Sequence, residues 1–130
     1  MNYRNLYYKQ NHYPYKDDGK DNEVIEVFLN KIDSSVSQII FFLNSYQGQD
    51  FAKIPYSKIR IFEGAPKKPE TIFAYFNLSS EPSFKDHVAI VMGKLFKSPE
   101  GWAFKAIGEP LNTPNMRETV KIIQQRFLNF

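Results

Sequence analysis

The sequence predicts an all-β domain, an antiparallel β-sandwich with one C-terminal amphipathic helix. Three observations predict it. From Glu23 to Ile107, apolar residues recur with period two or in short unbroken runs bounded by turn chemistry, the pattern of strands. Six such segments follow one another at nearly regular spacing with no helical pattern between them, as in a sandwich. Only near Thr113 does the period change to that of a helix.

The first strand runs from Glu23 to Asn30, with Ile25, Val27 and Leu29 on one side and Glu26 on the other. Lys31 to Ser35 is a turn or short helical excursion. Ser37 to Tyr46 contains the run Ile39-Ile40-Phe41-Phe42-Leu43, read as a central strand buried on both faces. After the loop Gln47-Gly48-Gln49-Asp50, the segments Ser57 to Phe62 and Thr71 to Leu78 flank Ala65-Pro66-Lys67-Lys68-Pro69 and are expected to pair as a hairpin. A Ser/Pro loop leads to the strand His87 to Phe96, the turn Lys97 to Gly101, and a last strand from Trp102 to Ile107. Thr113 is the expected N-cap and Pro114 the first helical residue. Met116, Val120, Ile123 and Phe127 then line one face, and burying each would contribute about 1.5–3 kcal/mol before entropy.

At 130 residues and 42% apolar content, the chain suffices for one core. The absence of cysteine excludes a disulfide framework, a thiolate zinc site and a cysteine nucleophile. No run has the length needed to cross a bilayer, and Met1 to Lys16 lacks the apolar stretch of a signal peptide, so the expectation is a cytoplasmic protein. The net charge of +3 resides in the first sixteen residues, where Arg4, Lys9 and Lys16 are the only charged groups. Residues 17–130 are neutral overall, which argues against nucleic acid as a partner. The tyrosines of that basic stretch, residues 3, 7, 8, 13 and 15, suit a docked tail or an edge strand. The expected division is therefore 1–16 as tail or edge strand and 17–130 as the domain proper.

His12 and His87 are the only histidines, and neither lies in a pattern that suggests a triad or a two-histidine metal site. No phosphate-cradling or dinucleotide glycine motif occurs. The expectation is a protein that is not an enzyme. Chemistry concentrates instead in Asp17-Asp18-Gly19-Lys20-Asp21-Asn22-Glu23, four carboxylates and a carboxamide in seven residues ahead of a strand. Such crowding is relieved by a hard cation, by lysines or by solvent, and the same residue types also build an ordinary solvated turn. It is not an EF-hand loop, since Asn22 and Phe28 stand where that loop requires Gly and Glu.

Taken in order, Asp21-Asn22-Glu23-Val24-Ile25-Glu26-Val27, Ile39 to Tyr46, Gln49-Asp50-Phe51, Lys58-Ile59-Arg60-Ile61, Phe76-Asn77-Leu78-Ser79, Gly93-Lys94-Leu95 and Trp102 to Pro110 resemble the TerD family of tellurium-resistance and general-stress proteins. The resemblance runs from about Asp17 to the final helix. It implies a β-sandwich of cytoplasmic bacterial stress proteins that bind Ca²⁺ through acidic loops. The family's Gly-Asp-Asp-Glu falls on Lys20 to Glu23, and its upstream Gly-Asp-Asn on Lys16 to Asp18. The implied ligands are Asp17, Asp18, Asp21, Asn22 and Glu23, with Asn44 at the same end of the sandwich. Lys20 departs from the family's glycine, and nothing before Asp17 reproduces the family's Asp-Leu-Asp strand end. Fewer strands would bare an apolar sheet face, to be covered by the tyrosine-rich tail, by a second copy or by another protein. The alternative function is thus a degenerate sandwich without metal that serves as a protein interaction module.

Overall fold

The computed structural model describes residues 5–10, 23–45, 48–53, 58–65 and 68–128. They form β1 (Asn5–Gln10), β2 (Glu23–Phe28), β3 (Gln38–Asn44), β4 (Lys58–Ala65), β5 (Lys68–Asn77), β6 (Ala89–Ser98), β7 (Gly101–Leu111) and the helix α1 (Met116–Arg126). Every strand pairing is antiparallel, in a four-stranded sheet of order β2-β1-β4-β5 and a three-stranded sheet of order β3-β6-β7. The expected hairpin is β4–β5, and β6–β7 turns tightly at Pro99-Glu100.

One apolar cluster joins the sheets. Ile59 and Ile61 of the larger sheet meet Phe41, Ile90, Met92 and Leu95 of the smaller one, with Leu29, Phe51, Leu78 and Phe84 added from connecting segments. Phe73 of β5 and Phe104 of β7 bring the sheets together directly, their ring centroids 5.6 Å apart. Aromatic pairs at this separation favour tilted arrangements, and the 33° observed here is one.

Three strand assignments differ from expectation. β3 is not a central strand but the edge beside β6, and of its apolar run only Phe41 is fully buried. The central strand is β6, buried continuously from Ala89 to Leu95. Both strands carry unbroken apolar runs, and which one sits in the middle depends on partners distant in sequence. In the amino-terminal stretch, Asn5–Gln10 runs inside its sheet with β2 and β4 as neighbours, not at an edge. Leu29 leaves the first strand for a 3-10 turn and is buried there, whereas Ile25 is 52% exposed on the outermost strand.

A bulge decides what β6 presents. The register with β3 shifts between Phe41 and Phe42, so that Phe41 faces Gly93 while Phe42 faces Val91. The extra residue flips the alternation of side chains. Ile90, Met92 and Leu95 therefore all reach the core, while Ala89, Val91 and Lys94 share the opposite face. That face carries α1.

The helix is also displaced from expectation. Asn115, not Thr113, is the N-cap, its Oδ1 accepting the Glu118 main-chain N–H at 3.0 Å. Asn ranks at least as high as Thr at an N-cap, and Glu118 in the first turn complements the helix dipole. The buried helical positions are Thr119 and Ile123, whereas Met116 is 65% and Val120 37% exposed. The face expected from apolar spacing was rotated because a threonine occupies the sheet side, and its hydroxyl is satisfied there. At the far end, Lys94, 1% exposed, donates to the Phe127 carbonyl at 2.9 Å and to Gln38 Oε1 at 3.0 Å. Gln38 in turn donates to the Leu128 carbonyl at 3.0 Å. An ammonium on the last carbonyls of a helix complements the dipole as well as the unpaired acceptors.

Connectivity gathers the long connections at one end. β3 ends at Asn44 and leads to Lys58, β5 ends at Asn77 and leads to Ala89, and β7 ends at Leu111 beside Ala89. Gln10 and Glu23, the residues flanking the acidic segment, are register partners at this same end of the larger sheet.

Candidate functional site

The acidic segment of the sequence falls mostly outside the described residues: Asp17, Asp18, Asp21 and Asn22 are not among them. Glu23 opens β2, with only its main chain described. Asn44 is half-buried at the end of β3, and its carboxamide links to the helix: Oδ1 accepts the Thr119 hydroxyl at 2.7 Å and Nδ2 donates to the Thr113 carbonyl at 3.2 Å.

At this end the fold brings together residues that sequence reasoning did not combine. A hollow of about 510 Å³ is lined by Gly48, Gln49, Asp50, Lys53, Asp86 and Val88. Its walls are two loops tied by main-chain bonds, Phe51 N–H to the His87 carbonyl at 3.0 Å and Ser45 N–H to the Val88 carbonyl at 2.7 Å. Asp50 begins a 3-10 turn and accepts the Ala52 N–H at 2.9 Å. Asp86 holds a left-handed backbone, φ 64°, a conformation short polar side chains tolerate better than most. His87 is a strand-end residue whose Nδ1 lies 2.8 Å from the Lys85 carbonyl, so it is engaged locally.

The Asp50 carboxyl is held below the usual range. Burial pushes it up, but the main-chain N–H groups of Ala52 and Asp86 and a contact with the Asp86 carboxyl outweigh that, with Lys53 adding attraction. Donors that favour the charged form lower a carboxyl pKa. Both carboxyls line the same hollow.

The donor set suits a hard cation in kind, being carboxylate and carboxamide oxygens, but Ca²⁺ takes six to eight oxygens. Among the described residues no cluster of three or more His, Cys, Asp or Glu side chains occurs. Asp50 and Asp86 were missed because they lie in separate loops. The signal available was the Gln49-Asp50-Phe51 motif, which carries an acid into this end.

The TerD domain model matches residues 7–121. The chain belongs to the TerD family. Relatives confirm it: the tellurium resistance protein TerX of Serratia marcescens is 33% identical over 97 residues, 72% of this chain and 43% of TerX. The tellurium resistance protein TerZ of the same organism is 30% identical over 88 residues, 68% of this chain and 42% of TerZ. The stress response protein SCP2 of Bacillus subtilis (strain 168) is 24% identical over 108 residues, 80% of this chain and 52% of that protein. This TerD-family chain thus spans about half the length of the curated relatives it matches. In fold it is similar to the crystal structure of the unknown function protein SAV2460, with a TM-score of 0.60, 12% identity, and coverage of 87% of this chain and 81% of that one. No described helix is long and apolar enough to cross a membrane.

Proposed function

We propose that this TerD-family chain is a non-enzymatic, cytoplasmic stress-response protein of the tellurium-resistance type that holds Ca²⁺ at the loop end of its sheets. One observation carries this reading. Gln10 and Glu23, which bracket residues 11–22, are register partners at the same end as the hollow lined by Asp50 and Asp86. Two acids from separate loops, Asp50 and Asp86, line one hollow, and carboxylates gathered in one place repel unless a divalent cation relieves them. Calorimetric titration of metal-stripped protein with calcium tests it, with Asp21→Ala and Asp86→Ala as comparisons. The expected result is binding heat in the wild type and weaker binding in each variant. No heat at millimolar calcium, or wild-type heat in both variants, would remove the site.

A second reading rests on a different observation. Phe28, Ile72 and Tyr75 are 42%, 53% and 51% exposed on the outer strands of the four-stranded sheet. Phe28 lies at one edge of that sheet and Ile72 and Tyr75 at the other, and exposed apolar residues on a sheet suit a protein-interaction role, which requires no metal.

A further inference from the structure

The four-stranded sheet ends in the edges β2 and β5, and the three-stranded sheet in β3 and β7. An edge strand turns one row of main-chain donors and acceptors outward, where another strand can pair, and folded proteins blunt such edges with prolines, lysines, bulges or covering elements. Three of the four edges here carry these devices. β5 has Pro69 and two register shifts against β4, and β7 has Lys105, Pro110 and a register shift against β6. β3 has a register shift of its own, and its two ends, Gln38 and Asn44, are bonded to α1 and its flanks.

Among the described residues, β2 has none of them. Its sequence Glu23-Val24-Ile25-Glu26-Val27-Phe28 contains no proline, glycine or lysine, and it pairs with β1 in one unbroken register. Ile25 and Phe28 on this strand are 52% and 42% exposed. Val27 packs against the core cluster, so alternation puts Ile25 on the core side of the strand and Glu26 and Phe28 on the other. A strand added at this edge would lay an apolar side chain against Ile25, widening the core, and a polar one beside Glu26.

Charge selects the occupant. Residues 17–28, which lead into and form β2, hold Asp17, Asp18, Asp21, Glu23 and Glu26 against Lys20 alone, a net charge of −4. A second copy would set like charge against like, whereas a basic strand is attracted. We propose that the outer edge of β2 takes up an extended basic segment of a partner protein by strand addition, main-chain bonds giving affinity and alternate apolar side chains meeting Ile25. The proposal rests on the second reading above, that apolar residues of the larger sheet serve in protein interaction.

The probe is a blocked peptide of alternating lysine and valine, about eight residues long so that it spans β2. It is added to the full chain in EDTA and followed by fluorescence anisotropy and amide hydrogen exchange. Two controls share its length: alternating glutamate and valine, and the lysine–valine peptide with every second amide N-methylated. The lysine–valine peptide is expected to bind about tenfold or more tighter than either control, to slow exchange across 23–28, and to lose most of its affinity with Glu26→Lys. Ile25→Thr, which keeps a β-branched residue, is expected to weaken binding as well and serves where Glu26→Lys impairs folding. Equal binding of the N-methylated peptide overturns strand addition, and equal binding of the glutamate peptide overturns the selection by charge. Slowed exchange at 68–77 in place of 23–28 overturns the assignment to β2 and leaves the interaction reading standing. A dimer in sedimentation velocity that Ile25→Thr dissociates makes a second copy the occupant, which likewise overturns the basic segment alone. A chain that stays monomeric and binds no peptide at millimolar concentration overturns the proposal and the interaction reading together.

Discussion

Gly93→Ala is the sharpest probe of how β6 and β7 meet. A Cβ at Gly93 would lie 2.6 Å from Phe104 Cζ and 2.8 Å from the Lys105 carbonyl oxygen. Ordinary carbon contacts are about 3.5–4.0 Å, so each neighbour would have to retreat by about 1 Å. The Phe104 ring is backed by Phe73, and the Lys105 carbonyl belongs to a strand paired with β6 through Lys94. Neither retreats without loss of packing or ladder bonds. Overpacking of this kind costs about 1–3 kcal/mol, and the backbone obstacle places the substitution near the top of that range. For a chain of 130 residues this corresponds to a fall in Tm of roughly 6–15 °C. Urea unfolding followed by tryptophan fluorescence, with calorimetry for Tm, measures it. Gly48→Ala supplies the contrast: nothing lies within 4 Å of its added Cβ, and its φ of +73° carries a purely conformational penalty of roughly 1–2 kcal/mol. Adding Phe104→Leu to Gly93→Ala is expected to recover part of the loss, because the two residues touch. Stability of Gly93→Ala within about 0.5 kcal/mol of wild type, or strict additivity of the double variant, would refute the steric account.

Two further expectations concern pH. Burial, with a smaller contribution from Lys105 across the strand pair, holds the Lys94 ammonium below its ordinary value of 10.5. Between the folded and unfolded pKa the unfolded chain binds more protons, so this group raises stability as pH climbs from its folded pKa toward 10.5. The stability difference between wild type and Lys94→Met should therefore move in favour of wild type across alkaline pH, and movement the other way contradicts the assignment. Asp50 has the opposite character, a carboxyl held below 3.8 in the folded chain. Its contribution is present above the unfolded value and lost as pH falls through the folded pKa. Acid unfolding of Asp50→Asn should accordingly be less steep in that window, and an unchanged acid limb argues against the bonds to Ala52 and Asp86.

Much of the architecture was legible because hairpins are written locally. The β4 and β5 strands were read from alternation around a proline-containing turn, and β6 and β7 from apolar runs about Pro99-Glu100-Gly101. The relative placement of strands was not legible. The runs Ile39 to Leu43 and Val88 to Leu95 look alike by composition, yet one is an edge and the other the centre. The helix was located correctly but rotated, since counting apolar residues cannot reveal that Thr119 is the buried position. A hydroxyl becomes acceptable inside only when partners such as Asn44 and Thr113 are already in place. Of the candidate ligands, Asn44 was placed at the loop end by resemblance, while Asp50 and Asp86 emerged only when two connections folded onto each other.

The sequence by itself determined the class, the turns, the β4–β5 hairpin, the presence of a closing helix and the family. These follow from side-chain alternation and turn chemistry between near neighbours, which the backbone imposes whatever surrounds it. Tertiary structure alone decided that β6 is central, that a bulge at Met92-Gly93 returns Leu95 to the core and sends Lys94 to the helix, and that Asp50 and Asp86 line one hollow. Each of those outcomes depends on burial and on hydrogen-bond partners supplied by segments far away along the chain, and polar groups accept burial only where such partners are found.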